Sequence, residues 1–328
     1  MSSGPWPKSF VGSHVLLTEG DKDPWDKVRE SWSQIRFDAI DVLFISPFYI
    51  KPGDFSFELG NGINLVERFE WTIRAARSKN PSIVIIVVQF WQPNNGQNDF
   101  ELLDDDGKIK TYADSVAAFI GSYYNKTLPN ISGNGQVSAR IQGYDVDVES
   151  STLVSNLPKI LMAVRQSLDG LAQKLGASKL SVSITPAWAR CLDSTIAQSC
   201  DYINMQNYSG GANTFPEAYM NAVPGLEKQQ LAWGFCPETP DASTQLLQQF
   251  PGVINKAQAI TAGEYGGTYT WRVNSDNYGY ENIFQVWLYD VVHGTTLPGS
   301  KDQSVVQKYW STGGRYADGK AIPPQDLN

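Results

Sequence analysis

The sequence alternates short apolar segments with longer amphipathic ones along most of its length. The run Ile83–Phe90 is apolar at nearly every position, as in a strand that is buried on both faces. Parallel strands need a long return connection, usually a helix, before the next strand can pair with them. The alternation therefore predicts parallel βα units in one sheet.

Eight segments have the character of strands, and this number favours a closed barrel. The predicted strands are Ser13–Thr18, Ile40–Phe48, Ile83–Phe90, Ala139–Glu149, Lys179–Thr185, Asp201–Tyr208, Gln230–Phe235 and Gly267–Val273. The predicted helices are Asp23–Ile35, Gly62–Ser78, Asp114–Asn125, Leu157–Leu175, Phe215–Val223, Ser243–Ala259 and Glu281–Val292.

The chain has 328 residues, of which 41% are apolar, so it can form one large α/β domain. We assign residues 1–295 to a single (β/α)8 TIM barrel. Residues 296–328 are expected to form a tail that packs on the barrel, with a short ordered piece near Val305–Trp310.

The fourth predicted strand carries three acidic residues, Asp145, Asp147 and Glu149. Successive side chains on a strand point to opposite faces, so these three carboxylates share one face. The apolar residues Tyr144, Val146 and Val148 occupy the other face. Like charges at close range resist ionising together, so a chain usually tolerates such a group for chemistry or for a metal. A solvated acidic strand edge is the alternative, and the interleaved apolar residues argue against it.

The segment Gln142–Glu149 resembles the D-G-x-D-x-D-x-E signature of glycoside hydrolase family 18, which ends the fourth strand of a TIM barrel. Every position fits except the first, where Gln142 replaces an Asp that belongs to strand support more than to chemistry.

Three further segments are similar to the family at the expected strands. Asn204–Tyr208 resembles the Q-x-Y element, Leu231–Pro237 the L-G-L-P element, and Gly266–Trp271 the G-G-x-x-x-W element. The resemblance covers roughly residues 10–295. The third strand departs from the pattern, because it ends in Phe90-Trp91 where many members carry S-x-G-G.

The resemblance implies a retaining, substrate-assisted glycosidase that cleaves β-1,4 bonds next to N-acetylglucosamine. Glu149 would be the general acid, and Asp147 would orient the acetamido group whose oxygen attacks the anomeric carbon. Asp145 would share a proton or a hydrogen bond with Asp147. Tyr208 would hold the acetamido oxygen, and Trp271 would stack beneath the sugar. The scheme needs no metal and no organic cofactor.

Other residues are candidates for substrate binding. Gln206 shares a strand face with Tyr208 and needs polar partners if it is buried. Trp91 and Trp188 follow predicted strand ends, where a TIM barrel places its site. For Trp91, Trp188, Trp271 and Tyr208, ordinary packing in the core or in loops is the alternative.

Composition argues against several other classes of protein. Two histidines, His14 and His293, lie far apart, which weakens a His-ligated zinc site and a Ser-His-Asp triad. The run Asp104–Gly107 does not fit an EF-hand loop and is expected to be an acidic turn. The net charge of −8 disfavours nucleic acid and anionic membranes as partners and suits a neutral polysaccharide such as chitin.

Few features of the sequence bear on the cellular compartment or on the oligomeric state. The amino terminus lacks the charged start and apolar segment of a signal peptide, which favours the cytoplasm unless a leader has been removed. No apolar run approaches membrane-spanning length. Cys191 and Cys200 could close a small loop, and free thiols are the alternative. We expect a monomer.

Two other functions remain open from the sequence. An endo-β-N-acetylglucosaminidase acting on N-glycan cores would use the same residues, although the Q-x-Y element favours a plant-type chitinase. A catalytically silent chitin-binding lectin or inhibitor is the alternative from a different class. Silent relatives often lack the terminal Glu, whereas Glu149 is present here.

Overall fold

The computed structural model describes residues 5–60, 62–91, 93–94, 97–208, 215–237, 250–275, 278–311, 316–317 and 320–321. In it, eight parallel strands pair in chain order and the last pairs with the first, so the sheet closes into a barrel. The barrel strands are β1 (Phe10–Leu16), β2 (Val42–Ile50), β3 (Val84–Gln89), β4 (Gly143–Val148), β5 (Ser181–Pro186), β6 (Tyr202–Met205), β7 (Leu231–Phe235) and β8 (Gly267–Thr270). The predicted (β/α)8 TIM barrel is confirmed.

Helices alternate with the barrel strands along the chain. The α-helices are α1 (Trp25–Trp32), α2 (Leu65–Lys79), α3 (Asp106–Tyr124), α4 (Leu157–Leu175), α5 (Pro216–Ala222), α6 (Phe250–Thr261), α7 (Tyr278–His293) and α8 (Gln303–Ser311). Short 3-10 helices connect β5 to β6 at Ala189–Cys191 and Ile196–Gln198, and others occur at Phe37–Ala39, Asp99–Leu102 and Lys228–Gln230.

Several short antiparallel strands lie outside the barrel ring. Phe57–Leu59 pairs with the end of β2. The remaining pairs are Pro93–Asn94 with Gln97–Asn98, Thr127–Pro129 with Gln136–Ser138, and Tyr316–Ala317 with Lys320–Ala321.

The amino end of the barrel is closed by Trp6. Its ring stacks on Tyr202 at the start of β6, with centroids 4.1 Å apart. Its indole N–H donates a hydrogen bond of 3.0 Å to the Oγ of Ser181 at the start of β5. This end is therefore packed with side chains, and the opposite, carboxyl end of the strands is left to form a site.

Gly143 allows β4 and β5 to lie close together. A Cβ atom on this residue would lie 2.6 Å from the carbonyl oxygen of Ser181, which is closer than real Cβ contacts allow. The glycine of the acidic-strand signature is therefore required by the packing of the barrel wall.

Helix α3 begins at Asp106, well before the predicted start at Asp114. Asp105 caps this helix, because its side chain accepts a 2.8 Å hydrogen bond from the backbone N–H of Lys108. The run Asp104–Gly107 was expected to be an acidic turn. It instead supplies a cap and negative charge at a helix N-terminus, where the helix dipole favours them.

In the described part of the tail, helix α8 packs on the barrel helices. Trp310 of α8 is fully buried and stacks on Phe284 of α7, with ring centroids 4.8 Å apart. The ordered piece expected near Val305–Trp310 is this helix, while the division at residue 295 stays a prediction. The predicted helix Ser243–Ala259 begins outside the described residues and is helical from Phe250 onwards.

Cys191 and Cys200 are buried free thiols, so the disulfide bond that could have closed the loop between them is not formed. Among the helices of the described ranges, none combines the length and the apolar character needed to span a bilayer.

Candidate active site

Strand β4 places its acidic residues at the centre and at the mouth of the barrel. Asp145 is fully buried and Asp147 is 7% exposed. Glu149 directly follows the strand, and its side chain is exposed at the carboxyl end of the barrel. The residues of the opposite face, Tyr144, Val146 and Val148, are all fully buried. The predicted alternation of an acidic and an apolar face is thus present in the structure.

Asp145 is surrounded by hydrogen-bond donors from the two following strands. Ser183 donates to Oδ1 at 2.5 Å, and Asn204 donates to the same oxygen at 3.1 Å. Thr185 donates to Oδ2 at 2.9 Å. Burial raises the pKa of Asp145 to about 6, and the three donors oppose that rise. This carboxyl can therefore hold or release a proton close to neutral pH.

Asp147 is fixed in orientation by one donor on each oxygen. The side-chain amide of Gln206 donates to Oδ1 at 2.7 Å, and the backbone N–H of Trp91 donates to Oδ2 at 3.4 Å. Gln206 is itself held by a 3.1 Å hydrogen bond to the carbonyl of Thr185. The polar partners predicted for a buried Gln206 are therefore Asp147 and the backbone.

The pKa values of Asp147 and Glu149 are both raised. Burial raises the pKa of Asp147 well above its ordinary value, and the negative charges of Glu149 and Asp145 raise it further. The hydrogen bonds from Trp91 and Gln206 act in the opposite direction. Partial desolvation at the barrel mouth raises the pKa of Glu149. Since ionisation of one carboxyl opposes ionisation of the other, the pair keeps one proton to a higher pH than an isolated carboxyl.

Tyr208 lies just beyond the end of β6 and is buried, with 7% of its surface exposed. Its hydroxyl is 3.4 Å from the hydroxyl of Tyr269. Gly234 makes room for this ring, because a Cβ there would lie 2.8 Å from Cε1 of Tyr208. Burial raises the pKa of the Tyr208 phenol well above its ordinary value, so the hydroxyl stays neutral and can donate a hydrogen bond.

A cavity of about 180 Å³ brings these groups together at the carboxyl end of the barrel. Trp271 directly follows β8 and lies nearly parallel to Phe90, with ring centroids 6.0 Å apart. Trp188 follows β5 and contributes a second indole. The lining residues are His14, Val88, Phe90, Asp147, Glu149, Thr185, Ala187, Trp188, Gln206, Tyr208 and Trp271. Carboxyl, amide and phenol groups beside aromatic rings suit a neutral, hydroxylated ligand with apolar faces.

Trp91 is placed differently from the other candidate aromatic residues. Its ring packs near Phe100, with centroids 6.1 Å apart, and does not line this cavity. Its contact with the acidic strand is the backbone N–H to Asp147 described above. The main chain of Trp91 therefore belongs to the site geometry, whereas its use as a sugar platform stays a prediction.

Several residues of the site were missed by sequence reasoning. His14 and Phe90 line the cavity, and Ser183 and Thr185 hold Asp145. The alternation of polar residues in Ser181–Thr185 is a visible sign of an interior polar face. His14 could have been noticed in the same way, because it is a polar residue within the first predicted strand.

Gln142, the one departure from the acidic-strand signature, supports the barrel wall as expected. Its side-chain oxygen accepts 3.0 Å hydrogen bonds from the guanidinium of Arg77 and from the backbone N–H of Ile85 on β3. It therefore joins β4 to its neighbouring strand and to α2, away from the cavity.

Comparison with known proteins finds similarity in structure. No family sequence profile matches the chain, and no curated protein sequence matches it significantly. The GH18 chitinase from Cycas revoluta in complex with (GlcNAc)3 is similar with a TM-score of 0.64 at 13% identity, over 87% of this chain and 99% of that one. A class V chitinase from Nicotiana tobaccum in complex with NAG4 has a TM-score of 0.62 at 12% identity, over 89% and 100%. A chitinase-like agglutinin from Robinia pseudoacacia has a TM-score of 0.58 at 13% identity, over 86% and 98%.

The TM-scores show that the fold is shared, and at identities this low they show the fold alone, which occurs both in chitinases and in an agglutinin. Activity must therefore be argued from the site. The resemblance read from the acidic strand is confirmed at this level: the chain has the fold of the glycoside hydrolase family 18 chitinases and chitinase-like proteins.

Proposed function

We propose that this protein is a glycoside hydrolase that cleaves β-1,4 bonds next to N-acetylglucosamine by substrate-assisted retention. The observation that carries the proposal is the arrangement of two carboxyls. Glu149 stands exposed at the mouth of the cavity, and Asp147, two residues before it, is buried and held by a donor on each oxygen.

Glu149 is the proposed acid. A glycosidic bond within a polysaccharide can approach an exposed carboxyl at the mouth of the barrel more easily than a carboxyl that is buried at the centre of the barrel. The raised pKa of Glu149 supports protonation nearer neutral pH, as a general acid requires. Glu149 would give its proton to the glycosidic oxygen as the bond to the anomeric carbon breaks.

Asp147 and Tyr208 are the proposed partners of the acetamido group. A carboxylate oxygen has two lone pairs, so each oxygen of Asp147 can accept another hydrogen bond, including one from the acetamido N–H. The neutral Tyr208 hydroxyl would donate to the acetamido oxygen. That oxygen would form a bond to the anomeric carbon as the leaving group departs.

Water completes the reaction in the proposed scheme. The Glu149 carboxylate, having lost its proton, would accept one from a water molecule as that water attacks the anomeric carbon. The bond to the acetamido oxygen breaks, and the original configuration is restored by two successive inversions. Trp271 and Trp188, which line the same cavity, are the proposed sugar platforms.

Product analysis tests the proposal and separates it from its alternatives. The protein is incubated with chitin oligomers and, separately, with a high-mannose glycopeptide, and the products are identified by mass spectrometry. We expect shorter oligomers from chitin. Cleavage confined to the glycopeptide core would identify an endo-β-N-acetylglucosaminidase. Binding of chitin oligomers without cleavage of either substrate would refute the hydrolase and identify a lectin.

A further inference from the structure

His14 occupies an unusual position for a histidine outside the proposed catalytic set. It lies on β1, is 2% exposed, and lines the same cavity as Asp147, Tyr208 and Trp271. Its strand neighbour Ser13 is in register with Thr270, which places His14 beside Trp271, where the ring centroids are 5.2 Å apart.

Both ring nitrogens of His14 lack a hydrogen-bond partner among the described residues of the protein. Buried polar side chains are normally hydrogen-bonded, and an unsatisfied one costs about 1–3 kcal/mol. An apolar ring of similar size would fill the same space without that cost. The two nitrogens belong to a ring that lines the cavity, so they are available to a polar ligand there.

The surroundings of the ring fix its orientation and its charge. His14 stacks on Phe44 with centroids 4.7 Å apart, and Tyr269 packs against it at 5.4 Å. Burial among these groups lowers the pKa of His14 to about 3. The imidazole is therefore neutral at ordinary pH, with one nitrogen that donates and one that accepts.

We propose that His14 is a substrate-binding residue that hydrogen-bonds a hydroxyl group of the sugar ring lying against Trp271. The inference rests on the proposed function for the class of ligand. A hydroxyl both donates and accepts, which matches a neutral imidazole. A metal is a poorer match, because the described residues contain no cluster of three His, Cys, Asp or Glu side chains able to hold one.

Nitrogen NMR observes this residue directly, because the chain has two histidines. His293 is an internal reference, since it lies on α7 and its Nε2 is 2.8 Å from Asp41. The Glu149→Gln protein is labelled with 15N-histidine and titrated with tri-N-acetylchitotriose. We expect the His14 ring signals to shift with the same Kd as calorimetry measures, while the His293 signals stay in place.

Two substitutions separate binding from packing. His14→Phe keeps an aromatic ring against Phe44 but removes both polar atoms. We expect chitotriose binding to weaken about 3- to 10-fold, as for loss of one neutral hydrogen bond, while Tm stays equal or rises. His293→Phe is the control. We expect it to lower Tm, because the hydrogen bond between His293 and Asp41 is lost, and to leave the Kd for chitotriose unchanged.

The outcomes distinguish this inference from the proposed function. Binding with unmoved His14 signals and an unchanged Kd in His14→Phe would overturn the inference, even if the wild type hydrolyses chitin. A shift of His14 in a protein that hydrolyses nothing would support the inference and refute the hydrolase. Absence of binding to chitotriose would overturn both.

Discussion

The hydrogen bond from Gln206 to Asp147 has a consequence for the pH dependence of activity. Gln206→Met keeps a side chain of similar length but removes the 2.7 Å donor to Oδ1. A hydrogen bond to a charged group contributes about 1.5–3 kcal/mol, and one pKa unit corresponds to about 1.4 kcal/mol. The donor stabilises the ionised form, so its removal should raise the pKa of Asp147 further.

The proposed reaction needs Asp147 ionised while Glu149 is protonated. The acidic limb of the kcat/KM profile should therefore move upward by about 1–2 pH units in Gln206→Met. The alkaline limb should move little, because it reports loss of the proton that the proposed reaction keeps on Glu149. Profiles measured on a fluorogenic chitobioside from about pH 3 to pH 9 would show both limbs.

Gln89→Met is a matched control for loss of a buried amide. Gln89 is fully buried, but its oxygen accepts a 2.8 Å hydrogen bond from Tyr112 on α3, outside the barrel interior. We expect lower stability and unchanged limbs in this control. An unmoved acidic limb in Gln206→Met would refute the claim that Gln206 controls the charge of Asp147.

Three further outcomes are expected. Asp147→Asn removes a negative neighbour of Glu149, so the alkaline limb of the pH–rate profile should move to lower pH as the rate falls. Tyr208→Phe should lower the rate without moving that limb. The same alkaline limb in the wild type and in both variants would contradict the coupling between Asp147 and Glu149. Burial raises the pKa of Asp145 to about 6, so ionisation of this carboxyl destabilises the fold. The unfolding free energy of the wild type, compared with that of Asp145→Asn, should decline as the pH rises from about 4 to 6 and then level off. Chemical denaturation of both proteins across this pH range measures the difference. A thiazoline analogue of the cyclised intermediate should inhibit far better than N-acetylglucosamine, and equal weak inhibition would argue against acetamido participation.

The barrel and its acidic face could be predicted because both depend on local patterns. Apolar runs such as Ile83–Phe90 indicate buried strands, and alternation alone assigns Asp145 and Asp147 to one face. Helix α3 was harder, because the run Asp104–Gly107 suits a turn and a helix cap equally well. The contact between the Asp105 side chain and the Lys108 N–H decides between them.

The partners of the acids depend on register, which one strand's sequence does not contain. Ser183 reaches Asp145 because β5 pairs with β4 so that these two residues are opposite each other. The ring of Trp91 was expected to bind sugar, but it is the backbone N–H of Trp91 that contacts Asp147. The path of the loop after β3 decides which group of Trp91 faces this carboxyl. The two open nitrogens of His14 likewise become visible only when the surrounding strands are in place.

The role of Glu149 is tested most directly by comparing hydrolysis and binding in one variant. Glu149→Gln keeps the size of the side chain but removes its transferable proton. Loss of general acid catalysis should lower turnover of chitin oligomers at least about 100-fold, while calorimetry shows that they still bind. Glu217→Gln makes the same change at an exposed position on α5 and should leave both quantities unchanged. Near-normal turnover in Glu149→Gln would contradict the account.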